Sequence, residues 1–145
     1  MKNIMVINLD GDSHKIADAL QKFYGDKAKV DVMEITDRPT NIDIFFGKGS
    51  SICSPNNRNL LNELVKNNNE CKMVAYYDST CESNLIFDSW LLARFTGEGF
   101  YTDYKFYKQN LLLWISQAKN ELLKLLIPKE KFYFEPEPDK DWAEY

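Results

Sequence analysis

IMVINL, at residues 4–9, is a short apolar run, and the turn-forming residues DGD at positions 10–12 follow it directly. A run of this length between turn residues is typical of a strand covered on both faces, as in a parallel sheet. The next residues, SHKIADALQKF at 13–23, carry apolar side chains at helical spacing, with Asp12 or Ser13 as the cap and Gly25 as the stop. A buried strand that leads directly into a helix predicts an α/β protein.

The same alternation continues along the chain. Further strands are predicted at Val30–Ile35, Ile42–Phe46, Met73–Tyr77 and Phe100–Thr102. Further helices are predicted after Ser54-Pro55, with Asn67-Asn68-Asn69 as the end, at Leu85–Phe95 and at Lys105–Leu126. The acidic residues of the second strand place it at an edge or on a half-covered face. Because crossovers between parallel strands are right-handed, the pattern predicts a three-layer α/β sandwich with a five-stranded parallel sheet of order 2-1-3-4-5.

Composition and charge restrict the class of protein. The chain has 145 residues, of which 44% are hydrophobic and 28% charged, as expected for a soluble globular domain. No secretory signal opens it, and its longest apolar run, residues 111–115, is far short of the ~20 residues that span a membrane. The net charge of −4 argues against nucleic acid as a partner. The sequence therefore predicts a cytoplasmic protein without a membrane or nucleic-acid partner, whose three cysteines are reduced.

The last 18 residues differ from the rest of the chain. Residues 128–145 contain three prolines, five aromatic residues, six acidic residues and three lysines. We therefore divide the chain into a domain at residues 1–127 and an acidic aromatic C-terminal tail at residues 128–145. The acidic residues are typical of a solvated tail, whereas the aromatic residues indicate that part of it packs on its own domain or docks a partner or a second copy.

Three loops follow predicted strands and precede predicted helices: Asp10–Ser13, Gly47–Ser54 and Asp78–Glu82. In an open parallel sheet, ligands bind outside the carboxyl ends of the strands, where the strand order reverses. All three loops are rich in small and hydroxyl residues, and backbone N–H groups at helix N-termini are a natural seat for phosphate. The loops therefore predict a binding site for a phosphorylated ligand.

Residues 11–17, GDSHKIA, resemble the first loop of the flavodoxin family, in which Gly-Asn-Thr precedes a helix and wraps the phosphate of flavin mononucleotide (FMN). Residues 78–82, DSTCE, resemble the family's third loop, and Gly47–Ser54 lies where its second ring-contacting loop belongs. The resemblance covers residues 2–126 in element order. It extends to short-chain flavodoxins and to the flavodoxin-like partner of ribonucleotide reductase, whose second loop is rich in glycine.

This resemblance implies an electron carrier that binds FMN and docks redox partner proteins, rather than an enzyme with its own substrate. The phosphate would lie on the first loop and the flavin ring between the second and third loops. The implied cofactor-binding residues are Gly11, Asp12, Ser13, His14, Lys15, Gly47, Lys48, Gly49, Ser50, Ser51, Asp78, Ser79, Thr80 and Cys81.

Other interpretations of the same residues remain open. The main alternative is a flavodoxin-like domain without flavin that acts as an interaction or small-molecule-binding module. Asp10 and Asp12 are also similar to the Asp-x-Asp of haloacid-dehalogenase-type phosphatases, in which one Asp attacks phosphorus beside Mg²⁺, although His14 stands where that family has Thr. A response-regulator receiver needs an acidic residue at the end of the third strand, where this chain has Phe46-Gly47-Lys48.

Single residues also have simpler interpretations. His14 is typical of an exposed residue in a first helical turn. Cys81 is either packed or a reactive thiol near a helix N-terminus, and with Cys53 it could form a redox pair. Cys71 flanks a strand and is expected to serve packing alone.

Overall fold

The computed structural model describes residues 1–9, 11–52, 54–76 and 111–127 of the chain. The strands in these ranges are β1 (Lys2–Ile7), β2 (Ala28–Met33), β3 (Ile44–Lys48) and β4 (Lys72–Tyr76), and the helices are α1 (Ser13–Tyr24), α2 (Arg58–Asn67) and α3 (Leu111–Lys124). Single helical turns lie at Gly25–Lys27, Gly49–Ile52 and Pro55–Asn57. None of the helices in the described ranges is both long enough and apolar enough to cross a membrane.

The four strands form one parallel sheet with the order β2-β1-β3-β4. This confirms the parallel α/β class and the relative order of the first four predicted strands. The fifth predicted strand, Phe100–Thr102, and the predicted helix Leu85–Phe95 lie outside the described residues. The six N-terminal residues of the predicted helix Lys105–Leu126 do so as well.

Helices cover both faces of the sheet, so the described chain has the three layers that the sequence predicts. Side chains alternate along each strand, and β3 shows the result clearly: Ile44 and Phe46 belong to one hydrophobic cluster, and Phe45 to the other. The first cluster joins the sheet to α1 and α3, through residues such as Ile16, Leu20, Ala118 and Leu122. The second joins it to α2 and the Gly49–Ile52 turn, through Ile52, Leu61 and Leu64.

Strand position explains the composition of the strands. All residues of β4 and nearly all of β3 are buried, as expected for strands covered on both faces. In β2, Lys29 and Asp31 are exposed, and β2 is an edge strand of the four-stranded sheet. Of the two positions that its acidic residues predicted, an edge or a half-covered face, the structure shows the edge.

The third strand lies two residues later than predicted. Before β3 begins, the backbone N–H of Ile42 donates to Asn68 Oδ1 at 2.9 Å. This N–H is thus bound by a side chain and not by the carbonyl of a neighbouring strand. At the other end of β3, Gly47 and Lys48 pair with Ala75 and Tyr76 of β4. The interpretation of Gly47–Ser54 as a loop is therefore wrong for its first residues, because pairing with β4 extends the strand through a Gly-Lys pair that in isolation indicates a turn.

The end of α1 agrees with the prediction. Gly25 follows the helix with φ +61°, a left-handed conformation that glycine adopts without steric cost, and its N–H donates to the carbonyl of Gln21. The Gln21 side chain then joins the helix to β2: its Nε2 donates to the carbonyls of Gly25 and Ala28, and its Oε1 accepts from the N–H of Val30 at 2.8 Å. This side chain fixes the direction in which the chain leaves α1.

Two buried side chains from other elements hold the C-terminal end of α3. The Tyr24 hydroxyl donates to the carbonyl of Leu122 at 2.7 Å. The ammonium group of Lys72, a residue only 3% exposed, donates to the carbonyls of Leu125 at 2.8 Å and Ile127 at 2.5 Å. Because the last carbonyls of a helix have no partner within the helix and carry partial negative charge, a buried cation is favourable there.

Replacing Tyr24 by Phe should change how stability depends on pH. Burial raises the pKa of Tyr24 far above its ordinary value of about 10. Above that pH the unfolded chain releases the phenol proton while the folded chain retains it, so this group lowers the free energy of unfolding by up to about 1.4 kcal/mol per pH unit. At neutral pH, Tyr24→Phe should cost about 1 kcal/mol, the net value of one hydrogen bond.

The natural protein and Tyr24→Phe should therefore become equally stable at about pH 11. Above that pH, Tyr24→Phe should be the more stable of the two. Urea unfolding between pH 7 and pH 11.5 measures this difference. A constant difference across the range would contradict the assignment of the raised pKa to Tyr24.

Candidate functional site

The carboxyl ends of β1 and β3 lie side by side at one edge of the sheet. The two strands are parallel neighbours, with Val6 opposite Phe46, so the segments that follow them emerge together. The third predicted loop, Asp78–Glu82, lies outside the described residues, as do Asp10 and Cys53. We use the term carboxyl rim for the two described segments at this edge, residues 8–15 without Asp10 and residues 47–52.

The carboxyl rim lies where the direction of strand addition reverses. From β1 the chain adds β2 on one side, and it then crosses back to add β3 on the other side of β1. From this point the chain after β1 packs on one face of the sheet and the chain after β3 packs on the other face. In open α/β sheets, ligands bind at the carboxyl ends of the strands where two such connections diverge. The structure thus brings the first two predicted loops together at the position that the sequence predicts for a site.

The first segment of the carboxyl rim is tied to β2. Beyond the end of β1, the backbone N–H of Asn8 donates to the carbonyl of Met33 at 2.8 Å, and its side-chain Nδ2 donates to Glu34 Oε2 at 2.8 Å. Asn8 is not among the predicted site residues, although a polar residue within an apolar strand run is the kind of signal that indicates such a role. Asn8 fixes the path by which the chain approaches α1.

Helix α1 begins at Ser13, and Asp12 is its N-cap residue. The cap is closed by the main chain, since the N–H of Ile16 donates to the carbonyl of Asp12 at 3.0 Å. The hydroxyl of the fully buried Ser13 donates to the carbonyl of Ile7 at 3.2 Å, which ties the helix to the end of β1. Ser13 therefore contributes to the carboxyl rim through its backbone, because its hydroxyl proton is donated to the strand.

Gly11 is exposed and has open space around it. A Cβ atom built on this residue would meet no atom of the described residues within 4 Å. Packing against the described residues therefore does not require glycine here. A glycine with open space around it, placed just before a helix N-terminus, leaves the main chain open to close approach by a ligand.

The carboxyl rim carries charge of both signs. His14 and Lys15 are exposed in the first turn of α1, Lys48 at the end of β3 is half-buried, and Asp12 is half-buried. The expectation that His14 is an exposed first-turn residue is confirmed. The lysines and the positive end of the helix dipole favour an anion at this edge, and the Asp12 carboxylate opposes it.

The second segment of the carboxyl rim is closely packed. A Cβ atom on Gly47 would lie 2.6 Å from Cδ1 and 2.7 Å from Cγ1 of Ile52, and 3.5 Å from Cδ1 of Leu9. Ile52 is fully buried, so its side chain covers the end of β3 and separates the strand from solvent. Ile52 was not among the predicted site residues, although an apolar residue in a Gly- and Ser-rich segment is a sign of such an anchor.

The remaining predicted residues of this segment form a helical turn rather than a loop. Gly49 is buried at the start of the turn Gly49–Ile52. The carbonyl of Ser51 accepts hydrogen bonds from the N–H of Ser54 at 3.2 Å and from Asn57 Nδ2 at 2.8 Å, which holds the turn against the next one. Ser50 lies between Gly49 and Ser51 in the same turn.

The cysteines separate into two groups. Cys71 is buried in the cluster that joins the sheet to α2, so the prediction that it serves packing is confirmed. Cys53 and Cys81, the proposed redox pair, lie outside the described residues, and so do Asp78, Ser79 and Thr80. These residues remain predictions from the sequence.

Comparison with known proteins adds no relative: no family model, no curated protein and no solved structure matches the chain. The geometry and the charges of the carboxyl rim are therefore the basis for proposing a function.

Proposed function

We propose that the chain is an FMN-binding electron-transfer protein of the flavodoxin type, with its cofactor at the carboxyl rim. One observation carries the proposal: the N-terminus of α1 lies beside the strand-order reversal, directly after a glycine that has open space around it among the described residues. A flavodoxin-like sheet continues beyond β4 with a fifth strand, which the predicted strand Phe100–Thr102 supplies in this proposal.

The residues of the carboxyl rim suit the phosphate end of such a cofactor. The N-terminus of α1 forms the seat for the phosphate, because the positive end of the helix dipole favours an anion there, and Gly11 allows the phosphate to approach the main chain. Lys15 and Lys48 add positive charge. Asp12 lowers the affinity, because a carboxylate repels a dianionic phosphate.

Bound flavin supplies one- and two-electron redox chemistry, and the chain binds it, orients it and tunes its potential. The net charge of −4 suits transient docking to redox partners with basic surfaces, because complementary charge raises the rate of encounter. In this proposal the loop Asp78–Glu82 contacts the flavin ring from the side of β4.

A binding titration tests the proposal on the full chain. The purified protein should show the two visible absorption bands of an oxidised flavin, and the protein freed of flavin should quench the fluorescence of added FMN. Gly11→Val should weaken FMN binding at least tenfold, because its side chain fills the space beside the α1 N-terminus. Its free energy of unfolding should stay within about 0.5 kcal/mol of the natural protein, since the residue is exposed and has open space around it.

Removing the negative charge at the cap should have the opposite effect. Asp12→Asn keeps the size of the side chain and should strengthen FMN binding about tenfold, or about 1.4 kcal/mol. Asp18→Asn, which changes an exposed carboxylate further along α1, is the matched control and should leave the affinity unchanged within about twofold.

Colourless protein that fails to bind FMN in every variant would refute the electron-transfer proposal and favour the alternative of an interaction or small-molecule-binding module. Tight FMN binding that Gly11→Val and Asp12→Asn leave unchanged would instead place the flavin away from the carboxyl rim.

A further inference from the structure

A second concave surface lies at the opposite edge of the sheet, where β1 and β3 begin. It is an open pocket of about 480 Å³, lined by Asn3, Thr40, Asn41, Ile42, Asp43, Asn67, Asn68 and Asn69. We call it the asparagine pocket. Because it lies at the amino ends of the strands, it is separate from the carboxyl rim, and a ligand bound here is independent of the flavin proposed for that rim.

Hydrogen bonds hold the floor of the asparagine pocket in place. The buried Asn68 side chain accepts from the N–H of Ile42 and donates to the carbonyls of Leu64 at 2.9 Å and Pro39 at 3.0 Å. One side chain thereby joins the end of α2 to the segment before β3. The pocket is thus built in advance, which lowers the entropy cost of binding a ligand.

The wall opposite α2 is fixed as well. Asn41 has φ +61°, a left-handed conformation that Asn tolerates better than most residues, and its carbonyl accepts from Asn3 Nδ2 at 3.1 Å. The backbone N–H of Asn3 donates to Asp43 Oδ2 at 2.8 Å. These bonds use one carboxylate oxygen of Asp43 and one side-chain donor of Asn3. No hydrogen bond among the described residues uses the second carboxylate oxygen of Asp43 or the amide oxygen of Asn3, so both are acceptors for a ligand.

Charge selects the ligand. Asp43 is the one ionised side chain among the lining residues that the structure describes, and Asn67 is the last residue of α2, where helix carbonyls carry partial negative charge. Acceptor oxygens with a single carboxylate match a monovalent cation rich in hydrogen-bond donors. A calcium ion fits less well, because it takes six to eight oxygen ligands, usually with several carboxylates. An ammonium ion also fits less well, because it is more strongly hydrated than a guanidinium.

We propose that the asparagine pocket binds a guanidinium group, carried either by a small molecule or by an arginine side chain of a polypeptide. The planar group donates to Asp43 and to the Asn3 amide oxygen, and the side chains of Asn41 and Asn67 lie at the wall. Asn68 does not contact the ligand but positions the floor.

Titrations followed by ¹H–¹⁵N NMR of the full chain test this proposal. Agmatine and an acetylated, amidated Gly-Arg-Gly peptide are the probes, and the same peptide with citrulline in place of arginine is the neutral isostere. Binding in the millimolar range or tighter should shift the amide signals of residues 40–43 and 67–69. The citrulline peptide should bind at least tenfold more weakly than the arginine peptide.

Two variants and one control connect the binding to the pocket. Asp43→Asn keeps an acceptor for the N–H of Asn3 but removes the charge, and should weaken binding at least tenfold. Asn41→Gly suits the left-handed backbone and removes one wall side chain, and should weaken binding about threefold even if Asp43→Asn does not fold. Asp31→Asn, an exposed carboxylate on β2, should leave binding unchanged.

Tighter binding of the arginine peptide than of agmatine would identify a polypeptide partner, and the reverse order a small molecule. Equal binding of the citrulline and arginine peptides, or shifts that both pocket variants leave unchanged, would overturn the proposal.

Discussion

Replacing Gly47 by valine is expected to lower the free energy of unfolding by about 3 kcal/mol, at the upper end of the usual cost of overpacking a core. The first added atom alone would lie 2.6 Å from Ile52 Cδ1 and 2.7 Å from Ile52 Cγ1. Ile52 is fully buried, so it has little room to move away. Valine favours strand conformation, so strand propensity alone predicts a more stable variant. A loss of stability would therefore report the packing against Ile52.

A double-mutant cycle isolates the contact. Ile52→Ala alone should cost about 3 kcal/mol, the usual range for removing a buried isoleucine side chain. In the double variant the valine fills part of the space that alanine leaves. The cost of the double variant should therefore be smaller than the sum of the two single-variant costs by at least 1.5 kcal/mol. Urea unfolding of the four proteins measures this coupling. Additive costs would show that Ile52 does not cover Gly47.

Lys72→Met is expected to cost about 2–3 kcal/mol, because it removes two charge-assisted hydrogen bonds and leaves the carbonyls of Leu125 and Ile127 without this donor. The loss is smaller than the sum of two such bonds, because methionine also avoids the cost of burying an ammonium group. Methionine has nearly the length of lysine, so the change in packing is small.

Lys119→Met is the matched control, since Lys119 is exposed on α3 itself and methionine has a similar helix propensity. It should change stability by less than about 0.5 kcal/mol. Hydrogen exchange gives a second measurement: in Lys72→Met the amides near the C-terminal end of α3 should exchange faster than those of the sheet. Equal stability of the two variants would mean that Lys72 does not hold the end of α3.

Lys72 and Tyr24 act on α3 from two different elements. Lys72 is the first residue of β4, and Tyr24 is the last residue of α1. Their contacts to α3 span 53 and 98 residues of sequence. Local sequence patterns carry no information on contacts of this separation, and a lysine at the start of a strand is ordinarily exposed. Only the packing of α3 against the sheet indicates why these two polar residues are buried.

Much of the architecture was predictable from the sequence, because the spacing of apolar residues along the chain indicates which side chains of a strand or helix are buried. The continuous apolar run of β1 indicated a strand covered on both faces, and the acidic residues of β2 indicated an edge or a half-covered face. The stop of α1 at Gly25 and the end of α2 at residues 67–69 were confirmed. Gly25 ends α1 with a positive φ, and the side chain of Asn68 binds the carbonyl of Leu64 at the end of α2.

The details of the carboxyl rim were less predictable. The sequence placed the first two loops at one edge, and the parallel sheet confirms their proximity. It assigned Gly47 to a ligand-binding loop, whereas the structure shows Gly47 in a strand beneath Ile52. In sequence, a glycine in a turn looks the same as a glycine that a neighbouring side chain covers. Only the pairing with β4 shows that Gly47 belongs to a strand.

The asparagine pocket shows the same limit. Asn41, Asn67, Asn68 and Asn69 are ordinary turn residues in sequence, and Asn68 was expected only to end a helix. Its side chain instead joins segments 26 and 29 residues away, through Ile42 and Pro39. A short side chain that both donates and accepts can replace a strand partner, but its partners are known only once the chain has folded.

By itself the amino-acid sequence determined the alternation of strands and helices, the parallel pairing and the edge at which the first two loops meet, because each depends on local hydrophobic period and on connection length. The tertiary structure decided where the third strand begins and ends, which glycine is covered and which is open, and how a buried lysine and tyrosine hold the last helix. These features depend on contacts between residues far apart in sequence, whose energies appear only when the helices pack on the sheet.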